Sequence, residues 1–282
     1  MQKINTGLAN VINLIKINVT HFHMGGKVMK IIDIEEMPFH EIRYLSSGPK
    51  SQVRKCILPF YKAKVDSIPE GLNSFIAASD MQGREKGGKG RLLGEQVAEE
   101  LKLMQDLGDI APIDMVLLAG DLYDYPDCRK LGGTGDVTSV WNSFAEAFPM
   151  VVGVHGNHDM IEGELSSNTQ VLNGNTVNES GLKISGVSGI IGKLSRNQRK
   201  SEADFMNHLS KSLTKNVDIC LLHEGPDYPD WNCRGNPDIR EWLEVDGESL
   251  VIFGHCHWKE HLAEIGKNQV LNVDAKVFLF SV

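Results

Sequence analysis

At residues 115–121 the sequence reads Met-Val-Leu-Leu-Ala-Gly-Asp, a short apolar run that ends in a glycine and a carboxylate. A short, apolar run bounded by turn residues predicts a strand that is buried on both faces of a sheet. Asp121 then follows the carboxyl end of that strand, where sheets of α/β proteins carry their sites. The preceding glycine allows the backbone to turn sharply and to approach an ion or a phosphate closely.

The same arrangement occurs four more times along the chain. Apolar runs at 75–78, 150–154, 219–222 and 250–253 also predict buried strands. Each run is followed within a few residues by groups that can bind a metal: Asp80, Asn157, His158, Asp159, His223, His255 and His257. Carboxylate, amide and imidazole donors without sulfur suit divalent manganese, iron or zinc and do not indicate a structural zinc site.

Amphipathic patterns between these runs predict helices over 92–107, 136–148 and 201–213, with Asp136 as the N-cap of the second. Strands that alternate with helices indicate an α/β sheet protein. The chain has 282 residues, 41% of them hydrophobic, which favours one domain over 29–282. A regular strand pattern begins only at Met29, so residues 1–28 are predicted to be a loosely attached segment. The pair His21 and His23 in that segment is interpreted as solvated.

The composition limits the partners. A formal net charge of −8 does not favour nucleic acid, because a polyphosphate backbone would be repelled. The five cysteines show no C-x-x-C spacing, which argues against a disulfide framework and favours a cytoplasmic location. The apolar stretch at 11–19 is too short and too polar to span a membrane, so no membrane association is expected. The oligomeric state cannot be inferred from these features.

From Phe75 onward the polar residues form five ordered blocks: Asp80-x-Gln82, Gly120-Asp121-Leu122-Tyr123-Asp124, Gly156-Asn157-His158-Asp159, His223 and Gly254-His255-Cys256-His257. As an ordered set they resemble the blocks of calcineurin-like metallophosphoesterases, which are usually written D-x-H, G-D-x-x-D, G-N-H-D/E, H and G-H-x-H. The resemblance implies a four-layer fold in which two packed mixed β-sheets are flanked by helices. It also implies that the metals lie at the strand ends on one edge.

The resemblance further implies a role for each matching residue. One metal is assigned to Asp80, Gln82, Asp121 and His257, and the other to Asp121, Asn157, His223 and His255, so that Asp121 bridges them. Two divalent metal ions, with manganese first and iron or zinc as alternatives, would activate a bridging hydroxide that attacks a phosphomonoester or phosphodiester. His158 would protonate the leaving oxygen, and Asp124 or, alternatively, Asp159 would orient that histidine.

Gln82 departs from the family pattern, which has histidine at this position. Its amide oxygen is a weaker donor, so the first site should bind its ion less tightly or prefer manganese or magnesium to zinc. Alternatively, Gln82 lies outside the coordination sphere and a water takes its place. Two other functions therefore stay open: a non-catalytic metal-dependent binding protein with a degenerate first site, and a nuclease, which the acidic composition disfavours.

The expected substrate is a small phosphate ester of undetermined class. The basic loop 83–91 either closes over the anionic end of the ester or is a solvated glycine-rich loop. The glycine-rich segment 131–135 is interpreted as a connection, because it lacks the lysine of a phosphate-binding loop. Residues 227–237 are expected to form the opposite wall of the cleft, with Trp231 and Arg234 as candidate contacts and Trp258 as a further lining residue.

Overall fold

The computed structural model describes residues 28–88, 90–213 and 217–282. The segment predicted to be loosely attached, including His21 and His23, lies outside these residues except for Val28. Within the described ranges the strands are β1 (Ile31–Ile34), β2 (His40–Ser47), β3 (Val53–Val65), β4 (Phe75–Ser79), β5 (Arg84–Glu85), β6 (Met115–Leu118), β7 (Gly135–Asp136), β8 (Val151–Gly153), β9 (Asp159–Met160), β10 (Thr169–Val171), β11 (Thr176–Glu179), β12 (Leu182–Val187), β13 (Ile190–Ile191), β14 (Arg199–Lys200), β15 (Ile219–Glu224), β16 (Leu250–Gly254), β17 (Leu262–Ile265), β18 (Asn268–Asn272) and β19 (Lys276–Ser281). The helices there are α1 (Leu93–Leu107), α2 (Thr138–Ala147), α3 (Glu202–Ser212) and α4 (Pro237–Val245), with 3-10 turns at Pro49–Ser51 and Pro229–Trp231.

Most of the strands belong to two mixed sheets. The larger sheet has the order β10-β8-β6-β4-β19-β3-β2-β5, and β1 pairs with β3 as its ninth strand. In it, β4, β6, β8 and β10 run parallel, whereas β19 is antiparallel to β4. The smaller sheet has the order β11-β12-β15-β16-β18-β17 and is parallel from β12 to β18. In each sheet, the parallel strands therefore end at a common edge.

The inner faces of the two sheets pack against each other in one hydrophobic core. Leu117 and Val152 of the larger sheet share this core with Leu221 and Ile252 of the smaller sheet. Alternate residues of the same strands, such as Leu118, point to the opposite face and are covered by helices. Both faces of the central strands are thus buried, which explains why their sequences are continuous apolar runs.

Helices cover the outer face of each sheet. Residues of α1 and α2, including Leu101 and Trp141, join the core outside the larger sheet. Phe205 of α3 and Leu243 of α4 join the core outside the smaller sheet. The predicted four-layer arrangement of helix, sheet, sheet and helix is confirmed.

Among the described helices, none combines the length and the apolar character that crossing a bilayer requires.

The local predictions agree with the structure to within two residues for the five strands and three helices, with one difference in capping. Helix α2 begins at Thr138, so Asp136 lies before the N-cap position, in β7. Its carboxylate nevertheless accepts a hydrogen bond from the backbone N–H of Thr138 at 2.9 Å. Helix α4 was not predicted, although its cap is visible in the sequence: Asn236 accepts the N–H of Asp238 at 2.9 Å, and Pro237 follows it.

Strands β1, β2 and β3, which precede Phe75 and lie outside the family resemblance, belong to the larger sheet. Strand β3 pairs with β2 on one side and, in parallel, with β19 on the other. Strand β19 also pairs with β4. The hairpin of β2 and β3 therefore extends the sheet whose strand ends carry the predicted ligands Asp80, Asp121 and Asn157.

Candidate metal centre

The carboxyl ends of β4, β6, β8, β15 and β16 carry the predicted ligands. Three of these residues, Asp80, Asp121 and His255, have positive φ angles of 54°, 56° and 65°. Residues other than glycine rarely adopt this left-handed conformation, which costs of order 1–3 kcal/mol and is concentrated at functional sites. The chain thus turns sharply after β4, β6 and β16, at the three residues Asp80, Asp121 and His255.

Two glycines allow the backbone to pass directly against the carboxylates. A Cβ atom on Gly156 would lie 2.0 Å from Oδ1 of Asp121, and one on Gly254 would lie 2.3 Å from Oδ2 of Asp80. Any larger residue at either position would displace a carboxylate. This close approach explains the glycines of the G-N-H-D and G-H-x-H blocks.

One group of predicted ligands converges closely. Ligand atoms of Asp121, His223 and His255 lie within 4.8 Å of one another. His223 is completely buried, and its Nδ1 lies 2.7 Å from the carbonyl oxygen of Ala119, so Nδ1 must be the donor. The other ring nitrogen, Nε2, is therefore directed to Oδ2 of Asp121 at 3.4 Å.

Two buried polar atoms of the predicted ligands are unsatisfied. Within the described residues, Nε2 of His223 and Oδ1 of Asn157 have no hydrogen-bond partner. A buried polar atom without a partner costs about 1–3 kcal/mol. A cation held by these atoms would remove that cost, and the donors are oxygens and imidazole nitrogens of the kind that divalent metals bind. The residues present therefore fit a divalent metal ion.

The ionisable side chains of this group strongly change one another's pKa values. Burial raises the pKa of Asp121, but the neighbouring His223 and His158 outweigh burial and lower that pKa to about 2. Burial lowers the pKa of His223, yet Asp121 raises it to about 10. Burial, followed by repulsion from His223, lowers the pKa of His255 to about 4, so that this ring is neutral and available as a ligand.

The remaining predicted ligands are arranged more openly. Oδ2 of Asp80 accepts hydrogen bonds from Oγ of Ser79 at 2.6 Å and from the backbone N–H of His255 at 2.9 Å. Nε2 of Gln82 donates a hydrogen bond to Oδ2 of Asp121, the carboxylate predicted to bridge, at 3.2 Å. His257 stands apart, because its side chain is 70% exposed.

A residue that the sequence analysis missed lies against His257. Oδ2 of Asp274 is 3.0 Å from Nδ1 of His257. Burial and, next, the charge of Asp274 hold the pKa of Asp80 well above its usual range, so Asp274 is electrostatically part of the same half of the centre. Asp274 follows β18 without a glycine-rich or histidine-rich motif, and no local pattern marks it as a site residue.

His158 lies beside the converging ligands. Its backbone N–H donates to Oδ1 of Asp121 at 2.9 Å, and its Nε2 is 3.9 Å from Oδ2 of the same residue. Its Nδ1 is buried without a hydrogen-bond partner in the described part of the chain. The loop 131–135 borders this ring, since a Cβ on Gly132 would lie 3.6 Å from Cε1 of His158.

The prediction that Asp124 or Asp159 orients His158 is not supported by these contacts. Asp124 accepts hydrogen bonds from the N–H of Ser47 at 2.8 Å, the hydroxyl of Ser47 at 2.5 Å and the N–H of Tyr125 at 2.7 Å. Asp159 accepts three backbone N–H groups, those of Asp121, Leu122 and Gly156. Both carboxylates are already engaged with their own loops and form no hydrogen bond or ion pair with His158 in the described ranges.

The basic loop 83–91 is largely occupied with internal contacts. The guanidinium of Arg84 donates to the carbonyl oxygen of Asp124 through Nε at 3.0 Å and Nη2 at 2.5 Å. Arg91 pairs with Glu85 at 3.2 Å and Glu99 at 2.7 Å. These two arginines are therefore held in place by the protein, which does not favour a loop that closes with both of them over a phosphate.

A groove of about 810 Å³ extends from the histidines of the last block. Its lining includes His255, His257, Trp231 and Arg234, so the predicted wall at 227–237 does border the cleft. Trp258 does not line it, contrary to the prediction. That indole is only 1% exposed, and its Nε1–H donates to the carbonyl oxygen of Arg234 at 2.8 Å, beneath the wall.

The four-layer fold, with carboxylate, amide and imidazole donors at the ends of strands from both sheets, defines the class of metallophosphoesterases. The sequence profile of the calcineurin-like phosphoesterases matches residues 74–259. Because this match covers well over half of the chain, the chain belongs to the calcineurin-like phosphoesterase family.

The chain is similar to solved structures at low sequence identity. The protein TT1561 of Thermus thermophilus is 17% identical, with a TM-score of 0.51 over 72% of this chain and 90% of that chain. The phosphopantetheinyl hydrolase PptH from Mycobacterium tuberculosis is 14% identical, with a TM-score of 0.41 over 72% of this chain and 90% of that chain. No curated protein sequence matches this chain.

Proposed function

We propose that this protein is a dinuclear metal-dependent phosphoesterase that hydrolyses a phosphomonoester or a phosphodiester. The observation that carries this proposal is that two predicted ligand atoms, Oδ1 of Asn157 and Nε2 of His223, are buried and unsatisfied, and that His223 converges with Asp121 and His255. Family membership supports a metal-dependent phosphoesterase in general, and these atoms supply the specific argument for a metal here.

The residues divide into two ligand sets that share Asp121. The first set is Asp80, Gln82, Asp121 and His257, and the second is Asp121, Asn157, His223 and His255. Asp121 suits the shared position, because its Oδ2 accepts a hydrogen bond from Nε2 of Gln82 at 3.2 Å and lies 3.4 Å from Nε2 of His223, so it faces a residue of each set. When bound, two divalent ions would activate a water molecule and neutralise charge on the phosphoryl oxygens.

His158 is the proposed proton donor to the leaving oxygen. Its Nε2 lies 3.9 Å from Oδ2 of Asp121 and its side chain is 21% exposed, so the ring stands at the edge of the proposed metal centre, where a substrate would bind. The hydrogen bond from the backbone N–H of His158 to Oδ1 of Asp121 fixes the position of one residue relative to the other. Proton transfer from this ring would let the leaving group depart as a neutral alcohol.

We propose manganese as the first choice of metal, because the Gln82 position offers an amide oxygen where an imidazole would favour zinc. We also propose a cytoplasmic location. The five cysteines, Cys56, Cys128, Cys220, Cys233 and Cys256, are all free, as expected for a reducing compartment.

A second candidate function is a metal-dependent binding protein without catalysis. It is favoured by the openness of the first ligand set, in which Gln82 replaces histidine and His257 is 70% exposed. If the first ion does not bind, the shared carboxylate holds only one metal.

The deciding experiment is metal analysis combined with hydrolysis of p-nitrophenyl phosphate and bis-p-nitrophenyl phosphate, with and without added manganese. We expect two metals per chain and metal-dependent release of nitrophenol. Asp109→Asn, an exposed carboxylate remote from the centre, is the matched control for ligand variants. One metal per chain and no turnover with any divalent ion would establish the binding protein instead.

A further inference from the structure

We infer that the groove beside His255 and His257 binds a nucleotide, with its planar base on Trp231 and a phosphate other than the reacting one on Arg234. This inference rests on the proposed function, because the reacting phosphoryl group is placed at the metal ligands. The groove runs without interruption from these histidines to Trp231. Its volume of about 810 Å³ lies within the range of pockets that bury a molecule of nucleotide size.

The segment that carries Trp231 is a fixed turn. The backbone N–H and C=O groups of Tyr228 and Cys233 bond to each other at 3.1 and 3.0 Å. Asn232 closes the turn in the left-handed conformation, with φ at 53°. Pro226 and Asn236 form a second bridge behind it. A turn closed by two bridges presents its side chains in a defined position before any ligand arrives.

The side chain of Trp231 is much more exposed than those of Trp141 and Trp258. It is 45% exposed, whereas Trp141 and Trp258 are 0% and 1% exposed. The Tyr228 ring supports it edge-on, with centroids 4.7 Å apart and an interplanar angle of 63°. A large aromatic ring that is supported on one side by another ring and left accessible in a groove is a stacking surface for a planar ligand.

The groove also presents positive charge that is not neutralised. The side chains of Arg234 and Lys259 form no hydrogen bond or ion pair within the described residues, and Glu260 is the acid among the lining residues. By contrast, Arg240 on the neighbouring helix α4 is tied to Asp227 at 2.8 Å. Free cations in a groove of a protein with a net charge of −8 favour an anionic ligand.

Arg234 is positioned from below by the buried indole of Trp258, which donates to its carbonyl oxygen at 2.8 Å. The guanidinium offers the planar donor geometry that binds phosphate oxygens in pairs. The ligand would place a planar ring on Trp231 and a phosphate on Arg234. It would place a further phosphoryl group at the metal ligands. A nucleoside with at least two phosphates has these three parts. A small monoester such as a sugar phosphate would leave Trp231 without a partner.

The test compares ADP, AMP, ribose 5-phosphate and inorganic phosphate by calorimetry on manganese-loaded protein, with the same free manganese concentration in every titration. ADP should bind at least about tenfold more tightly than ribose 5-phosphate, because each stacked base is a substantial contact. Trp231→Ala should lose about tenfold in ADP affinity, and Trp231→Phe should recover most of it. Arg234→Gln should reduce the preference for ADP over AMP. Trp242→Phe, on α4 and outside the groove lining, is the control and should change neither affinity.

Equal affinities of the wild-type protein for ADP and ribose 5-phosphate would overturn the inference, and so would unchanged ADP binding in Trp231→Ala. These results are separate from a failure of the proposed function. Turnover of nitrophenyl esters without an ADP preference would reject the groove and keep the hydrolase. Binding of ADP that depends on Trp231, in a protein that turns over no ester, would keep the groove and reject the hydrolase.

Discussion

The two ligand sets of the centre differ in how firmly the protein holds them. Asn157, His223 and His255 include two almost completely buried side chains, and two of the three have ligand atoms without partners. In the other set, His257 is mostly exposed, and Gln82 offers an amide. The proposed second site would therefore be organised before a metal arrives, whereas the proposed first site would have to adapt to its ion. We expect tight binding at the second site and reversible binding at the first.

The two ligand sets differ in rigidity because different contacts hold the rings of His223 and His257. The ring of His223 comes from the smaller sheet and is fixed by the carbonyl oxygen of Ala119 from the larger sheet. Packing between the sheets thus holds it in position. His257 lies in the loop after β16, and the contact that the structure shows for its ring is Asp274. A ligand held between two sheets is more rigid than one held by a single loop contact.

The largest effect is expected for Asp121→Asn, which removes the carboxylate common to both sets. Both metals should be lost or greatly weakened, and the rate of ester hydrolysis should fall by about three orders of magnitude or more. Elemental analysis and nitrophenol release measure these outcomes. Asp109→Asn should behave as wild type. Two retained metals in Asp121→Asn would show that the ligand sets are not joined through this residue.

The next effect separates the two sets directly. His223→Ala should lose one metal even in excess manganese, because the buried position cannot be refilled by an adaptable loop. His257→Ala should weaken the other metal by about 10–100-fold and be rescued by excess manganese. Titration of each apoprotein with manganese in a calorimeter gives both values. The comparison between the sets fails if both variants respond equally to added metal.

Gln82→His tests why the first set is open. An imidazole should tighten the first site by about tenfold and shift its preference from manganese toward zinc. Competition between the two metals, followed by elemental analysis, measures this change. If affinity and preference stay the same, Gln82 does not coordinate, and a water takes its place.

Asp274→Asn is expected to have a smaller effect, confined to the first set. The variant keeps the shape of the side chain but removes the charge beside His257, so manganese affinity at that site should fall by about tenfold. The second site should be unchanged in the same titration. Equal weakening of both sites would indicate a general structural disturbance.

The smallest functional effect is expected for Ser47→Ala, which removes a hydrogen-bond donor to Asp124. The buried carboxylate would lose the hydroxyl donor at 2.5 Å, which should cost about 1–2 kcal/mol of unfolding free energy in urea. Metal content should not change. A loss of metal or rate without a loss of stability would instead connect Asp124 to the chemistry.

The elements that the sequence predicted are those with local signals. The run before Asp121 predicts its strand, and the glycine and carboxylate after it predict the turn and the ligand. Distant contacts were not predictable in this way. Ser47 meets Asp124 across 77 residues, and only the packing of the hairpin against the site brings them together. Trp258 illustrates the same limit, because its position next to a ligand block does not reveal that its ring turns inward.

The position of strand β19 determines which strand edges are exposed while the protein is being synthesised. It lies between β3 and β4 in the larger sheet, although both of those strands precede it by most of the chain. While the protein is being made, β3 and β4 therefore each present an unpaired edge until residues 276–281 have emerged. Open strand edges invite pairing with other chains. The nascent chain is thus exposed to misassembly for most of its translation, and the sheet closes in one late step.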